Sequence, residues 1–356
     1  MQRRDFLTSA MAAGAAAMTT LSAKNQAAET PTKKPGIKLG LYSITYRGVW
    51  YKGPALDSFQ LVREAKKQGW EGLELSADRP HASPLDFDKD ARKKLRDLSG
   101  ELEIPICAVS PNCNLSSPLQ TQYEAMICYV RECIKLTSDI GSPICKILAA
   151  SRGYTMGDDG VASYELTGKH EPWPYWKKDR RPLVVAALKE LTKTAGDYGV
   201  VIALQNHGPD IINDYKDVLA MIRDVGSPYL KGSMDMNCEP DGESDKRAWD
   251  MARDSGPLQV HSHLNGEFKR DADGKVVLIA SGYFDKGYWG RKIAYPAYFE
   301  ALTSIGYNGF YTWEYCHPAI VDGKYAGIDY VNDQTKMALE YMRELRKNAL
   351  AKNNAK

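Results

Sequence analysis

Several things that would assign a protein class at once are missing from this sequence. It has almost no surplus of charge, with 47 basic residues against 45 acidic ones and a formal net charge of +2. That balance excludes a strongly basic nucleic-acid surface and an acidic tail. Close cysteine pairs are also missing. The seven cysteines (Cys107, Cys113, Cys128, Cys133, Cys145, Cys238 and Cys316) are an odd number, widely spread, which excludes a zinc ribbon and leaves at least one unpaired within the chain. Cys107 and Cys145 lie in apolar stretches that read as buried strands, where a free thiol behaves as a small hydrophobe. No apolar run is long enough to cross a bilayer comfortably, the nearest approach being the Ala-rich stretch over 8–21.

That stretch follows Arg3 and Arg4, then Asp5, Phe6 and Leu7. Paired arginines ahead of a short Ala/Gly-rich region fit the twin-arginine type of export signal. Residues 1–30 are therefore read as a signal segment, with cleavage near Ala23 or Ala28, and the mature protein is expected in the periplasm or at the envelope. Such export would let the chain fold and take up any metal before leaving the cytosol.

Beyond the signal, short apolar runs alternate with longer segments of helical periodicity, the pattern of a parallel sheet covered by helices. Strands are expected over 37–44, 72–75, 106–110, 144–149, 200–205, 230–235, 258–263 and 309–314. Helices are expected over 56–68, 89–98, 119–136, 183–198, 215–225 and 295–305, with a last one near 333–347. Gly69-Trp70-Glu71-Gly72 and Gly306-Tyr307-Asn308-Gly309 repeat one solution, in which a glycine ends a helix and a second opens a strand. Eight such units predict an α/β protein, a single-domain (β/α)8 TIM barrel over residues 36–350. The segments 152–181 and 265–294 are long and aromatic-rich and are expected to form a lid. Their Trp173, Tyr175, Trp176, Tyr283, Phe284, Tyr288 and Trp289 suit the apolar faces of sugar rings as a group, while each alone is as readily explained by packing.

Catalytic groups of such a barrel sit at the C-terminal ends of its strands, and here those ends are polar. Glu74 ends the second expected strand and Lys146 lies within the fourth. Gln205, Asn206 and His207 close the fifth, and Asp235 with Asn237 closes the sixth. His261 and His263 close the seventh, and Glu314 the eighth. Oxygen and imidazole donors converging from adjacent strands suit a divalent ion such as Mn²⁺, Mg²⁺, Co²⁺ or Zn²⁺.

The arrangement resembles the xylose-isomerase-like barrel superfamily, which includes sugar-phosphate isomerases and epimerases, ketose 3-epimerases and inosose dehydratases. The resemblance implies a metal held by Gln205, Asp235, His263 and Glu314, with Glu314, His207 and Lys146 as acid-base groups. It further implies Glu74, Asn237, His261 and Trp176 as substrate contacts, although Lys146 reads equally well as an ion-pair partner and His261 as a packed histidine. One position departs from the family pattern: Leu204-Gln205-Asn206-His207 carries an amide where the family carries a glutamate. An amide cannot act as a base, so two-base epimerisation loses one of its partners, whereas one-base chemistry survives. Three activities are consistent with this reading. The first is isomerisation or epimerisation of an unphosphorylated sugar or keto sugar, the second is lyase or hydratase action on a keto sugar or 3-keto-glycoside, and the third is sugar binding without catalysis. The partner implied is a small carbohydrate, in a chain that allows for a homo-oligomer as members of the family often dimerise.

Overall fold

The computed structural model describes residues 36–150, 155–157, 160–163, 180–207, 211–236, 244–279 and 293–355. The segment 1–30 expected to be a signal, most of 152–181 and the aromatic part of 280–292 lie outside the described residues, as do Trp176 and Asn237.

Eight parallel strands close a barrel: β1 (Lys38–Tyr42), β2 (Gly72–Ser76), β3 (Ile106–Ser110), β4 (Ile144–Ile147), β5 (Val201–Gln205), β6 (Leu230–Ser233), β7 (Gln259–Asn265) and β8 (Phe310–Glu314). Each pairs with its neighbours in sequence, and β8 pairs with β1 to complete the ring. The helices that follow them are α1 (Ser58–Gln68), α2 (Lys89–Glu101), α3 (Gln120–Asp139), α4 (Arg181–Asp197), α5 (Tyr215–Val225), α6 (Asp245–Ser255), α7 (Tyr295–Ser304) and α8 (Ile328–Asn354). This is the expected (β/α)8 architecture.

The local chemistry explains how the units repeat. At the start of α1, Asp57 accepts from the Gln60 backbone N–H, and the Gln60 side chain in turn accepts from Asp57 N–H, a reciprocal cap. Leu61 and Val62 are buried against the barrel, each contributing roughly 1.5–3 kcal/mol. The helix stops at Gly69, whose φ of 83° is a left-handed conformation open to glycine. Three residues later Gly72 opens β2, where a Cβ would lie 2.4 Å from the Phe310 ring. One glycine is needed for its backbone angle and the other for its missing side chain.

The last helix ties the ends of the chain together. Arg346 donates to both carboxylate oxygens of Glu71 at 2.8 Å and to the carbonyl of Ile37 at 2.9 Å, and Glu71 also accepts from Leu39 N–H.

Some expectations needed correction. Helix α6 was not foreseen, because its exposed face is crowded with charge and only Ala248, Met251, Ala252 and Ser255 are buried. The segment 265–294 does not begin as a lid. Glu267–Arg270 and Val276–Ile279 form an antiparallel hairpin, with Phe268 buried and paired through its backbone to Gln334 of α8. Strand β6 ends at Ser233, so Asp235 stands just beyond it. The described cysteines are free, Cys107 and Cys145 among the buried ones. Among the described residues no helix is long and apolar enough to cross a membrane.

Candidate active site

A strand exposes alternate residues to the same face. Ala108, Ile144 and Ala203 form a small apolar cluster separate from the main core. The residues two positions further along the same strands are Ser110, Lys146 and Gln205, so the polar groups stand on an apolar floor. Register supplies the rest, since it sets Thr312 beside His263 and Glu314 beside Asn265.

Glu74 of β2 is the deepest charge. It is fully buried, and Ser110 Oγ donates to its Oε1 at 2.5 Å while Thr312 Oγ1 donates to its Oε2 at 2.7 Å. His263 Nε2 lies 2.9 Å from the same Oε2, His261 Nε2 at 3.3 Å, and Lys146 Nζ is 3.5 Å from Oε1. Burial alone would raise this carboxyl, but His263, His261 and Lys146 together hold it well below the usual carboxylate range. Glu74 therefore lies beneath the strand ends with both oxygens engaged, a different setting from the substrate-facing one expected.

His263 joins this layer to the next. Its Nδ1 lies 2.9 Å from Asp235 Oδ2, its backbone N–H donates to Asp235 Oδ1 at 2.8 Å, and its ring stacks on Tyr42 with centroids 5.4 Å apart. Burial works against the imidazolium, yet Glu74, Asp235 and Glu314 outweigh it and raise His263 to about 10. His261, also fully buried, goes the other way, to about 4, because desolvation prevails there. Asp235 sits past the end of its strand and is fixed by a residue that was counted among the polar strand ends but given no role. Asn206 accepts from Asp235 N–H at 2.7 Å and donates to its carbonyl at 2.9 Å. An Asn directly after a polar strand end is the one signal that marked it.

Lys146 and Gln205 lie side by side on β4 and β5. Lys146 Nζ donates to Gln205 Oε1 at 3.1 Å and sits 4.9 Å from the centre of the Tyr42 ring. Burial disfavours its ammonium, but Tyr42, Glu74, Glu314 and Asp235 hold the proton on and raise its pKa. Gln205 Nε2 then donates to Asp235 Oδ2 at 2.5 Å and lies 3.1 Å from His263 Nδ1.

Glu314 stands at the rim, half-buried at the end of β8. Among the described residues its one hydrogen bond is from Asn265 Nδ2 at 3.3 Å, and Asn265 also reaches Cys316 Sγ. His207, just past β5, is exposed. Of the expected set, the barrel thus brings Glu74, Lys146, Gln205, Asp235, His261 and His263 into one network, with Glu314 beside it.

The family resemblance implies a divalent ion on Gln205, Asp235, His263 and Glu314, and the donor chemistry at Gln205 does not fit that role. A metal ligand must offer a lone pair, whereas Gln205 donates an N–H to Asp235 and commits its oxygen to Lys146. A second group exists deeper down: Glu74, His261 and His263 bring one ligand atom each within 4.8 Å of one another.

The comparisons agree with this architecture. L-ribulose 3-epimerase superimposes with a TM-score of 0.63 at 19% identity, over 90% of this chain and 97% of that one. D-psicose 3-epimerase, solved in the presence of D-fructose, gives 0.61 at 16% identity, over 87% and 99%. The 3-keto-D-glucoside 4-epimerase of E. coli gives 0.56 at 15% identity, over 85% and 99%. At these identities the likeness concerns the fold. Fructoselysine 3-epimerase of Escherichia coli O157:H7 is 26% identical over 182 residues, 50% of this chain and 60% of that protein, so the chain spans less than two thirds of this curated relative. A family described as the xylose isomerase-like TIM barrel matches residues 62–345, nearly the whole ring of strands, and the chain belongs to that family.

Proposed function

We propose that this chain is an exported enzyme of the isomerase or epimerase type, which removes a proton from the carbon beside a carbonyl in an unphosphorylated sugar or keto sugar. The observation that carries this reading is the state of Glu314. Glu74 and Asp235 are tied into the buried network, while Glu314, at the rim of the barrel, takes a single long hydrogen bond among the described residues. A carboxylate with free lone pairs beside a cluster of fixed charges suits a general base. His207, exposed just past β5, is the group assigned on this reading to pass the proton on. The epimerases among the relatives, including one named for fructoselysine and one for a 3-keto-D-glucoside, favour a sugar carrying or gaining a ketone. Export by the Arg3-Arg4 segment favours a substrate without phosphate.

A second reading is elimination from a 3-keto-glycoside, with loss of the aglycone. It is favoured by Gln205, an amide that cannot serve as the opposing base of a two-base epimerisation.

Incubation of free sugars, keto sugars and 3-keto-glycosides in D2O, followed by mass spectrometry, separates the two. Deuterium beside the carbonyl with isomer interchange supports the first reading, and aglycone release with an enone product supports the second. Neither exchange nor release across the panel would refute both and leave a sugar-binding barrel.

A further inference from the structure

We propose that Lys146 supplies the cation of this site: its ammonium, held between Glu74, Gln205 and the Tyr42 ring, does the work of a divalent ion, and the chain functions without a metal.

The argument begins with Gln205. An ammonium has donors and no acceptor, so the amide atom facing Lys146 at 3.1 Å has to be the oxygen. The amide nitrogen is thereby turned towards Asp235 Oδ2 and His263 Nδ1, at 2.5 and 3.1 Å. For Gln205 to offer its oxygen to an ion between these groups, the amide would have to flip, bringing N–H groups against the Lys146 ammonium. Lysine and glutamine thus lock each other in an orientation that closes the ligand position.

The neighbouring carboxylates point the same way. Glu74 already takes two hydroxyl hydrogen bonds and faces His263 and Lys146, and Asp235 already takes Gln205 and the His263 backbone. A dication at the deeper group of Glu74, His261 and His263 would share its carboxylate with an ammonium 3.5 Å away. The pairing also explains the departure at residue 205. A glutamate there would set a second carboxylate against an ammonium that already faces Glu74 at 3.5 Å, whereas an amide holds the ammonium without adding that further negative charge. On the proton-abstraction reading proposed above, that charge faces the electron pair that moves onto the carbonyl oxygen when Glu314 takes the proton.

The test counts metal in the full-length protein without substrate, so its outcome does not depend on the reaction. Wild type and the double variant Q205E/K146M are stripped with chelator, equilibrated with Mn²⁺ or Zn²⁺, desalted and analysed by inductively coupled plasma mass spectrometry, with folding checked by circular dichroism. We expect wild type to retain no stoichiometric ion and the double variant to gain one per chain, which a further Asp235→Asn change removes. One ion per chain in wild type, lost on Asp235→Asn or His261→Asn, would overturn the proposal. So would a folded double variant that still takes up no metal, and if that variant does not fold, the wild-type stoichiometry decides alone.

Discussion

Lys146 and Gln205 meet across the β4–β5 boundary with 3.1 Å between ammonium nitrogen and amide oxygen, and this contact sets the polarity of everything above it. Because the amide oxygen is engaged, the amide nitrogen reaches Asp235, which in turn holds His263. A side chain on one strand therefore orients groups on three others.

Glu314→Gln should lower deuterium exchange into substrate by about 10²–10⁴-fold, the usual contribution of a positioned general base. Since Glu314 is half-buried and takes one long hydrogen bond among the described residues, the thermal midpoint should scarcely move. Exchange at the wild-type rate in the variant would remove Glu314 as the base.

His263→Ala should destabilise the fold by about 3–5 kcal/mol, because it strips the main partner from two buried carboxylates. His207→Ala, at an exposed position, should stay within about 0.5 kcal/mol of wild type. Urea unfolding of both variants measures the contrast, and equal losses would refute the buried network.

His81 gives a pH dependence away from the strand ends. Burial, with Arg47 adding to it, pushes this histidine from 6.5 to about 3. A lowered histidine is held neutral in the folded chain, so its contribution is full above pH 6.5 and is lost as pH falls towards 3, at about 1.4 kcal/mol per pH unit. Denaturation midpoints of wild type and His81→Asn between pH 7 and 4 should converge on acidification. Parallel curves would count against a neutral buried His81.

Gly72→Ala should cost about 1–3 kcal/mol through overpacking, because the new methyl would lie 2.4 Å from the Phe310 ring across the barrel wall. Adding Phe310→Leu should recover part of that loss in the same melting experiment. No recovery would place the strain elsewhere.

The barrel was legible because each strand is a short apolar run and each polar residue at its end breaks that run at a position periodicity can count. Glu74, Lys146, Gln205, Asp235, His263 and Glu314 were all visible in this way. Their mutual orientation was not, since it depends on which strands become neighbours and on the turn of a single amide. Ser110 and Thr312 went unremarked, and Asn206 was noted without a role, because small polar residues at strand ends have no pattern of their own; they matter here by filling acceptors on Glu74 and fixing Asp235. Lys146 had been weighed as either an acid-base group or an ion-pair partner, and the structure sets its ammonium 3.5 Å from Glu74. Helix α6 and the hairpin after β7 were missed for simpler reasons: charge on the exposed face of α6 hides a narrow apolar stripe, and the hairpin strands are only four residues each.

The closure of β1 against β8, with Arg346 gripping Glu71 and the Ile37 carbonyl, imposes an order on biosynthesis. A ribosome makes β1 first and its partner β8 last, so the edge of β1 that faces away from β2 stays unpaired until β8 has emerged. A nascent chain interrupted before α8 would be an open sheet with a sticky border, recognisable to chaperones and proteases. Synthesis of β8 and α8 is thus the event that seals the ring.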